Sequence, residues 1–180
     1  MIQANPYKNV LFLAPTTVKK NTIIGEEVNE DMIRVAVRQA QDIDLQKIIG
    51  SCLMRRLQEL IQEDEIGLEA NAPYKVLLDE YIIPYMEALV VSNIAFDLSY
   101  KYRNKGVITT GDDRINNVLY DDVARLTQKH KVNAEAYKDY LCKFLETNGS
   151  DYPELTCGDC SNALETKDTK RTAPVPFYLG

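Results

Sequence analysis

The sequence is poor in the residues that usually carry chemistry. It has no tryptophan, one histidine (His130) and four cysteines (Cys52, Cys142, Cys157 and Cys160) in 180 residues. Small secreted folds are far denser in cysteine, so the expectation is a reducing compartment with free thiols. There is no phosphate loop, no G-x-G-x-x-G and no H-E-x-x-H. His130 has no glutamate three residues before it, which removes the di-iron signature of helical bundles. Basic excess is missing too: 27 acids stand against 21 bases, a net charge of −6. A dedicated nucleic-acid binder is usually strongly basic, so that class is disfavoured. The longest apolar stretch, residues 82–100, contains Glu87, Asn93 and Asp97. Each acid at membrane depth costs about 2.5–3.5 kcal/mol, so no spanning helix is expected there. The first 25 residues do not have the layout of a secretory signal. These absences point to a soluble intracellular protein without an evident active site.

What is present is helical pattern. At 45% apolar and 27% charged residues the chain reads as one ordinary globular domain with extensions. Three parts are expected: an N-terminal arm (1–28), a helical domain (29–148) and a C-terminal arm (149–180). The N-terminal arm has two short β-like runs, at 10–13 and 22–24, with a helical turn between them capped by Thr16 or Thr17. It is too short to own a core and must lie on something else.

Asn29 is a good helix cap, and Ile33, Ala36, Val37 and Ala40 follow on one face. Asp42-Ile43-Asp44 is expected to interrupt or reorient the chain. A second helix, about 45–65, carries Ile48, Ile49, Cys52, Leu53, Leu57, Leu60 and Ile61 inward, with Arg55, Arg56, Gln58 and Glu59 outward. Gly50 inside it costs about 1 kcal/mol against alanine and suggests a close helix contact. Pro73 opens a third helix running to about residue 101, apolar on several sides and therefore central. Pro84 should kink it. Residues 104–111 read as a protruding loop or short strand between glycines. A fourth helix begins between 112 and 118 and ends near Glu146, with Gly149 terminating it. Its stripe is Leu119, Val123, Leu126, His130, Ala134, Tyr137, Leu141 and Leu145. Leu53, Leu57, Leu78, Leu89 and Phe96 are expected in one core.

Local motifs weigh little against their ordinary readings. Cys157-Gly158-Asp159-Cys160 lacks the second ligand pair that a structural zinc needs and the strand-to-helix context of a redox pair. Incidental thiols, a half-site or disulfide, and a redox couple all remain open. His130 reads as a packed or surface histidine. Tyr100-Lys101-Tyr102-Arg103-Asn104-Lys105 interleaves aromatics with bases, as a nucleic-acid contact would, but also fits a cationic helix end complementing its dipole. Glu63-Asp64-Glu65 and Asp112-Asp113 read as solvated charge. No catalytic residue, cofactor or metal is indicated. The residues most suited to a partner are Val107, Ile108 and Thr109 in the loop, with nothing local to pair with, and Val175, Phe177, Tyr178 and Leu179 at the end of the polar C-terminal arm.

The segments MIRVAVRQAQDIDLQKIIGSCLMRRL, YKVLLDEYIIPYMEALVVSNIAFDLSYKYRNKGVI and AEAYKDYLCKFL, in that order behind an N-terminal arm, resemble the head-to-tail connector (adaptor, or ring) proteins of tailed bacteriophages. The likeness is strongest to the small connectors of Bacteroides phages, including the crAss-like phages. It covers about residues 10–155; Cys157-Gly158-Asp159-Cys160 is not part of it. The resemblance implies a mainly α, four-helix bundle-like connector fold with a protruding loop and extended N- and C-terminal arms. It implies a non-enzymatic virion protein, made in the host bacterial cytoplasm. Copies would form a homo-oligomeric, twelve-fold ring below the portal protein, docking the tail or further ring proteins. DNA would pass through the lumen without specific binding, and no membrane is involved. Two other classes stay open: a bacterial helical interaction or adaptor module, and a thiol- or metal-dependent enzyme built on the C-x-x-C.

Overall fold

The computed structural model describes residues 6–98, 100–103, 106–109 and 120–156. The fold is mainly α. Helix α1 (Pro15–Asn21) is followed by α2 (Glu30–Gln39), a π-helical segment (Ala40–Leu45) and α3 (Gln46–Gln62). After a 3₁₀ turn (Glu69–Asn71) come α4 (Ala72–Val76), a second π-helical segment (Leu77–Ile82) and α5 (Ile83–Asp97). Strands β1 (Tyr100–Arg103) and β2 (Gly106–Thr109) then precede the long α6 (Tyr120–Asn148). Two 3₁₀ turns, Gly149–Asp151 and Pro153–Thr156, end the described chain.

Local chemistry explains most of these boundaries. The Asn29 side chain accepts the Asp31 N–H at 2.7 Å and caps α2, whose Ile33, Ala36 and Val37 are buried, as is Ala40 at the start of the π-helical segment. Asp42 and Asp44 do not break the helix. The chain absorbs them in a π-helical segment, with Arg38 paired to Asp42 at 3.9 Å. The reorientation falls instead at Gly50, which takes φ 75° and ψ 167° between the two stretches of α3. Asp64 takes the left-handed conformation (φ 58°) just beyond α3, where the Glu65 and Ile66 N–H groups return to the Leu60 carbonyl. Pro73 lies in the first turn of α4. Pro84 lies in the first turn of α5, immediately after the second π-helical segment.

Helix α5 is central, packing along α6 and against α2 and both π-helical segments. A single apolar cluster joins Ile33, Val37, Leu53, Leu57, Leu78, Met86, Val90, Ile94, Leu141 and Leu145. Leu89, expected inside it, is only partly buried against it. Leu89→Ala should therefore lower the unfolding free energy by about 1–2 kcal/mol, below the range for a fully buried leucine. Denaturant titration of the two proteins checks this. The side chain of Phe96 lies outside the described residues.

The N-terminal arm does lie on the helical domain. Phe12, Leu13, Val18 and Ile24 enter the same cluster. Its β-like runs are not strands, however, and α1 starts at Pro15 without a side-chain cap from either threonine. Two backbone groups of the first run are satisfied by a buried glutamine. Gln41 accepts the Phe12 N–H through Oε1 and donates through Nε2 to the Val10 carbonyl, both at 2.9 Å. Gln58, expected to face outward, is turned inward and donates to the same carbonyl at 3.3 Å.

The C-terminal boundary also differs. Gly149 does not take a left-handed conformation; α6 tightens into a 3₁₀ turn there. Tyr152 and Leu155 then enter the core. The helical domain thus extends to Thr156, and only later residues can form an arm.

Candidate interaction surface

The loop expected between the third and fourth helices is a β-hairpin. Strands β1 and β2 are antiparallel, with Tyr100 opposite Thr109, Lys101 opposite Ile108, Tyr102 opposite Val107 and Arg103 opposite Gly106. Two expectations are corrected by this register. The third helix stops at Asp97, so the alternating aromatic and basic residues form a strand rather than a cationic helix end. And Val107, Ile108 and Thr109 do have a local partner, which is β1. Strand period places positions 100, 102, 107 and 109 on one face of the hairpin. The sheet has two strands, so each strand has an outer edge with no third strand beside it among the described residues.

Helix α6 carries a second surface. Thr127, Ala134, Leu141 and Leu145 are buried at helical spacing. Leu126 and Tyr137, expected on that stripe, are exposed. With Tyr140 they form an outward strip beside it, Tyr140 being 58% exposed. The rings of Tyr137 and Tyr140 meet edge to face at 6.2 Å. Sequence reading missed this strip, because an aromatic at core spacing one position around the helix reads as core. The signal was there: Leu126, Tyr137 and Tyr140 are one more apolar row than a single buried face requires. His130 is half-buried, and its Nε2 has no hydrogen-bond partner among the described residues.

A third cluster fixes the end of the domain. Phe144 stacks on Tyr81 at 4.0 Å, and Tyr152 meets Tyr74 edge to face at 5.5 Å. The Tyr152 hydroxyl donates to the Pro73 carbonyl at 2.9 Å. Tyr74 donates its hydroxyl to the Glu154 carboxylate, 2.9 and 3.0 Å from its two oxygens. The Arg56 guanidinium lies 5.9 Å from the centre of the Tyr74 ring.

Burial, helped by Asp151, pushes the Tyr152 phenol up to about 12. Burial first, then Glu154, also raises Tyr74. Burial raises Tyr85, with Asp44, Glu135 and Cys142 adding to it. A phenol with a raised folded-state pKa stabilises fully below its unfolded value of about 10 and loses that contribution as pH climbs toward the folded value. For Tyr152 the unfolding free energy should fall between pH 10 and 12, by up to about 1.4 kcal/mol per pH unit. Tyr152→Phe, with no phenol to ionise at that position, should show a shallower fall. Urea titrations of both proteins across this range check it; equal slopes would contradict the assignment to Tyr152.

Among the described residues no group of three or more His, Cys, Asp and Glu side chains could hold a metal. No helix there is long and apolar enough to cross a membrane. Cys142 is reduced, as expected. Cys52 is not, being disulfide-bonded. Val175, Phe177, Tyr178, Leu179 and the C-x-x-C pair lie outside the described residues.

Neither the curated proteins nor the solved structures contain a match to the chain. A family does match, over residues 45–163, which is about two-thirds of the sequence and spans α3, the hairpin, α6 and the C-x-x-C pair. The chain belongs to the family of unknown function DUF6712.

Proposed function

We propose that this chain is a structural virion protein that forms a homo-oligomeric ring below the portal, joining phage head to tail and continuing the DNA channel. The observation that carries the reading is the hairpin. A two-stranded hairpin alone in water is marginally stable at best, and its edges, open among the described residues, are ready templates for another strand. The strip of Leu126, Tyr137 and Tyr140 on α6 supplies a second surface of different chemistry. A closed ring of identical subunits needs such a pair, because each copy presents two distinct patches to its neighbours. The resemblance to connector proteins points the same way. The net charge of −6 suits a lumen that DNA must traverse without sticking.

Val107, Ile108 and Thr109 then act within β2, whose outer edge receives a neighbouring subunit or protein. Val175, Phe177, Tyr178 and Leu179 would dock on the portal or on a tail or further ring protein.

Native mass measurement and negative-stain imaging of the purified chain, alone and mixed with the portal protein, test the proposal. Rings of a fixed copy number are expected in at least one condition. A stable monomer or dimer under both would favour the bacterial adaptor reading. Replacing residues 100–109 by a Gly-Ser linker of equal length should leave the melting temperature near wild type and abolish rings. Truncation after Lys170 should leave the domain folded and abolish binding to the portal and tail proteins. The cut lies beyond the core residues Tyr152 and Leu155, which truncation after Gly149 would remove.

A further inference from the structure

The outward face of α6 is segregated by charge. Arg125, Lys129, Val132, Ala136, Tyr140 and Lys143 follow one another at intervals of three or four residues, so they form one row along the helix. Every one of them is exposed. The row is about 27 Å long, carries three bases and no acid, and is apolar between its charged ends. The acids of the same stretch, Glu135, Asp139 and Glu146, fall on the next row round the helix. None of the row's bases is in an ion pair among the described residues.

A surface of this build fits an acidic, partly apolar partner. The chain itself carries one. At the corner between α1 and α2, Glu26, Glu27, Glu30 and Asp31 are exposed within six residues, and Ile23 beside them is 73% exposed. The corner is fixed in place. Ile24 is buried, Lys19 donates to the Glu26 carbonyl at 2.8 Å, and Asn21 donates to Glu87 on α5 at 2.8 Å. Glu30 and Asp31 pair with Lys19 and Arg34 of their own copy. Glu26 and Glu27 are in no ion pair among the described residues. Helices α2 and α6 each pack on α5 and not extensively on each other, so corner and row are separate parts of the surface.

We infer that the α6 row receives the α1–α2 corner of a second copy, head to tail. This rests on the ring reading and deepens it by naming two faces that meet. Glu26 and Glu27 meet Arg125 and Lys129, and Ile23 covers Leu126 and Val132, which flank those bases on α6. Each copy gives its corner to one neighbour and its row to the other, the heterologous arrangement that closes a ring. Exposed ion pairs add little affinity singly, so the charges choose partner and register while the apolar contact holds it. DNA is a poorer occupant, because its phosphates offer no apolar surface to Val132, Ala136 and Tyr140.

Charge exchange on the full-length chain tests the contact, in the condition where wild-type rings form. Arg125→Glu with Lys129→Glu makes the row acidic, and Glu26→Lys with Glu27→Lys makes the corner basic. All four residues are exposed, so both proteins should melt within about 2 °C of wild type. Each alone should form fewer rings by about tenfold or more. An equal mixture of the two should restore them, because every acidic row then finds a basic corner. Zero-length carbodiimide coupling of isotopically heavy and light wild-type chains should join Lys129 of one copy to Glu26 or Glu27 of another. Rings that survive either reversal, or that the mixture fails to restore, overturn the inference and leave the ring reading standing. So does coupling of Lys129 to a portal or tail protein, or wild-type binding of duplex DNA that the acidic row abolishes, without the link between copies. If wild-type chains form no ring yet show that link, the ring reading falls and the contact stands. With neither ring nor link, both fall.

Discussion

Gly50→Ala should lower the unfolding free energy by about 3 kcal/mol, because φ 75° with ψ 167° is a region that only glycine occupies readily. For a chain of this size that corresponds to a melting temperature lower by about 6–12 °C. The sign is what makes the measurement decisive. A glycine inside a regular helix costs about 1 kcal/mol relative to alanine, so on periodicity alone the same substitution would stabilise. Gly50 is buried, and Ile49 and Leu53 on either side of it are buried too. The break lets both stretches of α3 turn apolar residues into one core, which an uninterrupted helix with an L residue at position 50 would not do. Thermal melts followed by circular dichroism read the outcome. A variant as stable as wild type or more so would mean that α3 is continuous.

Which parts of the fold are legible in the sequence depends on whether a local physical cause sets them. Asn29 and the spacing of Ile33, Ala36, Val37 and Ala40 announce α2, because cap and face both act within a few residues. The several apolar faces of α5 likewise announce its central place. The hairpin was half legible. Val107-Ile108-Thr109 is β-branched, but the helical spacing of α5 continues in the sequence past Asp97 and hides β1. The alternation Tyr-Lys-Tyr-Arg, separated by three residues from the β-branched run, is a period-2 signal for it. Tyr152 and Leu155 are isolated apolar residues in a polar stretch. No periodicity marks them; Tyr152 becomes core through Pro73 and Tyr74, distant in sequence, and through Phe144 near the end of α6. The outward strip on α6 was misassigned for a related reason: helical spacing defines a row of residues, and tertiary packing decides which row is covered.

Gln41 and Gln58 are the clearest case of what local pattern misses, and Gln41→Ala carries the second large effect. A glutamine beside apolar residues reads as solvent-facing, since its amide is costly to bury unpaired. Here the Gln41 amide behaves as a peptide group would in a sheet, accepting the Phe12 N–H and donating to the Val10 carbonyl. The arm can therefore lie irregular yet satisfied across the π-helical segment. Removing Gln41 leaves the buried Phe12 N–H without an acceptor and opens space beneath the arm. The expected loss is about 2–4 kcal/mol. Gln58→Ala should cost less, about 1 kcal/mol, because the Val10 carbonyl keeps its bond to Gln41. Hydrogen exchange separates arm release from general weakening. In Gln41→Ala the Phe12 amide should exchange faster by a larger factor than the amides of α5. If the Phe12 amide stays as protected as wild type, the arm is held by Leu13 and Val18 in the core, and the glutamine is incidental to it.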